Sequence, residues 1–80
     1  MRLKRSATIA SYWLGDRLVF DNYRTGARVT ADPRTLTVLD FFSTWRSEQD
    51  FYAYLPDYDR GSLRRTLHQL RENTLLYRQG

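Results

Sequence analysis

Eighty residues make one small domain, residues 1–80, and at this size folding hides only about 60% of the surface the unfolded chain exposes, so each apolar side chain counts. Hydrophobic residues at 41% and aromatics at 15% exclude a disordered tail, and the lack of cysteine excludes disulfides, thiolate metal sites and a cysteine nucleophile, which fits a reducing, cytoplasmic setting. The net charge of +4 favours an anionic partner, and no apolar run nears the roughly 18 residues of a membrane helix.

Ala7 to Leu14, with Ile9, Tyr12 and Trp13, reads as a first strand that ends at the turn pair Gly15-Asp16. Leu18, Phe20 and Asn22 interleave with Arg17, Val19 and Asp21 as a second, half-buried strand closed by the turn Arg24-Thr25-Gly26. Ala27 to Ala31 is a short third strand. Three adjacent strands and two turns make an antiparallel meander, which leaves an outer strand with unpaired backbone groups unless something covers it. The basic stretch MRLKR before the meander is assigned no element.

Asp32-Pro33 signals a helix, because Asp can cap free amides and Pro suits the first helical position. Leu36, Leu39 and Phe42, with Val38, Phe41 and Trp45, predict an apolar face about three turns long. Ser47-Glu48-Gln49-Asp50 resembles a capping box with Asp for the usual Glu, opening a short second helix through Phe51 and Leu55 that stops at Pro56. A third helix starts at Asp59 or Ser62, with Leu63, Leu67 and Leu70 on its apolar face and Asn73 as a left-handed cap. Leu75-Leu76-Tyr77 either adds a strand or closes the core. Three strands followed by three helices is an α+β order.

Catalysis finds little support: one histidine, no cysteine, no P-loop, no dinucleotide glycine pattern and no HExxH, so no enzyme activity, cofactor or metal is expected. His68 reads as a surface residue with no titratable group placed to orient it, and Asp57 and Asp59 read as turn and cap residues. More informative is the basic side of the third helix, where Arg64, His68 and Arg71 share a face, flanked by Arg65, beside the leucine stripe. A solvated helix surface is the plain alternative. On the third strand, Arg28, Val29, Thr30 and Ala31 offer a small-residue edge to which an extended partner can pair through main-chain hydrogen bonds; a short strand guarded by Arg28 is the alternative. The aromatics Tyr12, Trp13, Phe41, Phe42, Trp45, Phe51 and Tyr52 read as the core and its margin rather than a ligand cage.

The stretch SYWLGDRLVFDNYRTGARVTADPRTLTVLDFF, followed by a short helix and SLRRTLHQLRENTLLYR, resembles the peptide-recognition winged-helix domain of ribosomal peptide natural-product pathways, the fold shared with the pyrroloquinoline-quinone peptide chaperone. YWLGDRLVFDNYRTG and the DP before LTVLDFFSTWRS are similar to the amino-terminal region of FMN-dependent azoline dehydrogenases. The resemblance covers nearly the whole chain and rests on turn and apolar positions. It implies a winged helix-turn-helix of three antiparallel strands and three helices. It further implies that a precursor's leader peptide binds as an added strand between the third strand and the third helix, to be delivered to a peptide-modifying enzyme. By this resemblance Arg28, Val29, Thr30 and Ala31, with Arg64, Leu67, His68 and Arg71, would form the groove, and an acidic leader would suit its basic side. The flavin-binding part of those dehydrogenases has no counterpart here, so no FMN should bind.

Two other readings stay open. A winged-helix DNA-binding domain would place the third helix in the major groove, with Arg64, Arg65 and His68 at bases or phosphates, although acidic residues are scattered through every segment. A docking domain would use an exposed apolar patch around Trp13, Trp45 or Tyr77.

Overall fold

The computed structural model describes residues 1–79 and shows an α+β chain with three helices and two small antiparallel sheets. The meander is present as β2 (Ile9–Leu14), β3 (Arg17–Asn22) and β4 (Ala27–Ala31), in the order β2-β3-β4. Gly15 takes φ +66° as the first residue of the two-residue loop between β2 and β3, a backbone state that glycine adopts without strain. Gly26, at φ +80°, closes the β3–β4 turn and donates its amide to the Asn22 carbonyl at 2.8 Å. The first strand is therefore shorter than predicted, because residues 7 and 8 belong to the turn that leads into it.

The largest departure from the predicted order lies before the meander. MRLKR is not a loose basic lead but contains β1 (Arg2–Arg5), the central strand of a second sheet. β1 pairs on one side with β5 (Arg46–Ser47) and on the other with β6 (Leu76–Arg78). Four residues with a single apolar member carry too little periodicity to announce a strand. The reason for the strand is tertiary, since Leu3 is fully buried and its two neighbouring strands arrive from distant parts of the chain. Leu75-Leu76-Tyr77 takes both of the roles open to it: Leu76 and Tyr77 belong to an added strand, in this second sheet rather than beside the meander, and Leu75 and Leu76 are buried in the core.

Between the strands run α1 (Thr35–Phe41), α2 (Glu48–Tyr54) and α3 (Arg60–Glu72). Asp32 does accept from a backbone amide, that of Arg34 at 2.8 Å, but Pro33 and Arg34 form a turn and α1 itself begins only at Thr35. It lasts two turns rather than three. Leu36 is left exposed, and Trp45 lies beyond the helix, edge-to-face with Tyr77 at 5.3 Å on the second sheet. The capping box at α2 is complete: Ser47 Oγ accepts from Asp50 N at 3.0 Å, and Ser47 N donates to Asp50 Oδ2 at 3.3 Å. Asp59 caps α3 through Ser62 N at 2.9 Å.

The far end of α3 corrects the predicted cap by one residue. Asn73 keeps a right-handed backbone, and Thr74 takes the left-handed turn at φ +58°. Leu75 N then donates to Leu70 O at 2.8 Å and Thr74 N to Arg71 O at 3.0 Å, the two bonds of a Schellman ending. A β-branched residue is costly in this conformation. Side-chain bonds hold it: Asn22 Nδ2 donates to Thr74 O at 2.8 Å and to Thr74 Oγ1 at 3.1 Å, and the Thr25 and Thr74 hydroxyls lie 2.8 Å apart.

The core collects one face of each element. Leu18 and Phe20 come from β3, Val38 and Leu39 from α1 and Phe42 from its C-cap, Phe51 and Tyr52 from α2, Leu63, Leu67 and Leu70 from α3, Leu3 from β1, and Leu75 and Leu76 from the residue before β6 and from its start. Val19 is also buried although it faces away from Leu18 and Phe20, with Tyr12 and Thr30 directly opposite it on the flanking strands. Trp13, predicted as core or margin, is exposed. Among the described residues no helix is long and apolar enough to cross a membrane.

Candidate functional site: the cleft between β4 and α3

Among the described residues β4 pairs only with β3, so the backbone groups on its other side point away from the sheet. Beside this edge lies a cleft of about 310 Å³, walled on the strand side by Val29, Thr30 and Ala31 and on the helix side by Thr66, Gln69, Leu70 and Asn73. A second cavity of about 370 Å³ shares Asp32, Thr35 and Thr66 with it and continues past Val38 and Leu63 toward Leu55 and Tyr58. The two form one groove along α3. From Ser62 to Asn73 the helix rises about 17 Å, the length of roughly five residues of extended strand.

Several side chains in this region are tied down. Arg34 grips Asp32 through both carboxylate oxygens at 3.1 Å, which holds the Asp32 carboxyl below its ordinary value of 3.8. The same bonds, with help from Tyr58, raise the Arg34 guanidinium. Arg28 donates to Asp21 at 3.1 Å across the outer face of the meander, and this bond, aided by Tyr12, raises the Arg28 guanidinium. Arg28 therefore lies on the face opposite to Val29 and Ala31, already paired, and does not line the cleft.

The predicted residues divide among several places. Val29, Thr30 and Ala31 line the cleft. Leu67 is buried in the core. Arg64 and His68 each lie two residues from Thr66, so they project roughly 160° around the helix from the cleft wall. Arg71 turns to the same outer side, where it and His68 line a separate cavity of about 800 Å³. The helix side of the cleft thus consists of residues that the charge pattern did not single out: Thr66, Gln69 and Asn73. Their signal is positional, one face displaced from the leucine stripe, and is visible only once the partner strand is known.

Basic charge does reach the rim of the groove. An open depression lined by Ser62, Arg65, Thr66, His68 and Gln69 shares Thr66 and Gln69 with the cleft wall. Arg65 bonds Ser62 Oγ at 3.2 Å and leads this rim. His68 has a partner that the sequence reading did not foresee, Glu72 Oε1 at 3.0 Å, one helical turn onward. The pair is exposed. Among the described residues no three His, Cys, Asp or Glu side chains are placed to hold a metal ion.

Set against known protein families, curated proteins and solved structures, the chain matches none.

Proposed function

We propose that this chain is a non-catalytic peptide-recognition domain of winged-helix type, which takes the leader segment of a ribosomally made precursor as a fourth strand on β4 and presents it to a modifying enzyme. The observation that carries this reading is the unpaired outer edge of β4 running beside a cleft whose other wall is α3 from Thr66 to its C-cap Asn73. A guest strand gains main-chain hydrogen bonds from the edge, and alternate side chains enter the cleft between Thr66 and Val29. Arg65 at the rim meets acidic side chains that face outward, and so sets direction more than affinity.

An amide NMR titration with an acidic leader-type peptide tests the reading. Saturable shifts are expected at residues 27–31 and at Thr66, Gln69 and Asn73. Thr66→Tyr, which fills the narrow shared part of the groove, should weaken binding by at least about tenfold while leaving the fold intact. A response that bypasses β4, or that Thr66→Tyr leaves unchanged, refutes it.

One observation favours a second reading. Arg64, Arg65 and His68 lie exposed on the outer side of α3, where a winged-helix domain would present them to duplex DNA. Binding to random duplex with a steep loss as salt rises would favour that use, and a flat salt response would remove it.

A further inference from the structure

A further cavity, of about 800 Å³, lies apart from the peptide groove. It lies at the other side of α3, where the β1–β2 loop, the β3–β4 turn, the end of α3 and β6 converge. Arg24 of the turn, Arg71 of the helix and Arg78 of β6 are among its lining residues. None of the three forms an ion pair among the described residues. The one carboxylate in the wall, Glu72, is engaged by His68 at 3.0 Å. Three arginines from three separate elements thus line one concave site, a positive surface that favours an anionic ligand.

The floor of the same cavity provides an independent sign. Thr74 belongs to it and is the one non-glycine residue with positive φ among the described residues. Glycine or asparagine would turn the helix end there more cheaply. Asn22, only 2% exposed, braces Thr74 through its amide, and Thr25 braces it through a hydroxyl, so the conformation is held from the end of β3 and from the β3–β4 turn. Backbone strain kept in place by a surrounding network gathers at binding sites. Here the network fixes the Arg24 turn against the end of α3.

We infer that this cavity binds a small phosphomonoester, with Arg24, Arg71 and Arg78 around the phosphate and Ala7 and Tyr77 beside its organic part. The guanidinium fork suits planar, paired contact with phosphate oxygens, and a dianion answers the excess positive charge. A volume of about 800 Å³ exceeds the need of a bare phosphate and falls within the range of small-molecule sites. The cavity shares no lining residue with the cleft beside β4 or with its extension toward Leu55 and Tyr58, so either site can fail while the other stands.

The test is an amide NMR titration of the full chain at fixed ionic strength with inorganic phosphate, adenosine monophosphate and adenosine. Both phosphate compounds should give saturable shifts at Ala7, Thr25 and residues 74–78, and adenosine none. Arg24→Gln and Arg71→Gln should each weaken the monophosphate by about tenfold or more, while Arg65→Gln, on the opposite rim, should change little. Arg24 is exposed in a turn, so its variant keeps the fold even if Arg71→Gln does not. Linear, unsaturated shifts with phosphate, equal binding of adenosine, or equal losses in all three variants would overturn the inference. A short DNA duplex that perturbs Arg64 and Arg65 where the monophosphate fails would reassign this charge to a nucleic-acid backbone.

Discussion

Asn22 shows how much one side chain can organise. It is buried and sits at the end of β3, where its amide reaches Ser6 and Thr74 and its carbonyl accepts from the Thr8 hydroxyl at 2.7 Å and from Arg24 N at 3.1 Å. The β1–β2 loop, the β3–β4 turn and the end of α3 meet on this residue. Asn22→Ala strands several of these partners, so a loss of about 2–4 kcal/mol is expected in denaturant unfolding. A loss below about 0.5 kcal/mol would mean that water replaces the network. Thr74 supplies a paired test. Thr74→Val keeps the branched shape in the left-handed turn and removes the hydroxyl, whereas Thr74→Gly removes the hydroxyl and the strain together, so the glycine variant should be the more stable of the two. Neither residue is conspicuous in the sequence: Asn22 reads as the inward position of a strand ending in a turn, and its five side-chain partners are spread from Ser6 to Thr74.

At the scale of elements, legibility followed local chemistry. The capping box from Ser47 to Asp50, the turn glycines at 15 and 26 and the Asp59 cap are contained within a few residues, and each stands where the sequence puts it. Ser47→Ala should therefore cost about 1 kcal/mol, read as a lower unfolding midpoint at constant slope, because two amides of the first turn of α2 lose their acceptor or its orientation. Elements defined by distant partners were not legible. β1 and β5 are too short to show alternation, and α1 ends a turn early because Trp45 finds Tyr77 rather than the helix face. The same division holds for the site. An open third strand can be read from a meander, but which side of α3 faces it depends on packing, and that is why the arginine-rich face and the cleft wall proved to be different faces of one helix.

For the molecule as a whole, the decisive feature is that its first strand lies in the middle of the second sheet. Leu3 is fully buried between strands from residues 46–47 and 76–78. Leu3→Ala should cost about 2–5 kcal/mol, a large share of the stability of a domain this size, and should be visible as a strong drop in thermal midpoint. A change of only a degree or two would show that the core can close without β1. The pairing also has a consequence in time. During synthesis Arg2–Arg5 emerges long before Leu76–Arg78, and these are the segments that hydrogen-bond to each other. The meander can close from local contacts alone as soon as it emerges, but the second sheet must wait for the final strand, so the last step of folding is a long-range closure made after synthesis of these residues is finished. Until then Leu3 has no finished core to enter, and a chaperone or a partner that meets the nascent chain meets it with that leucine still uncovered.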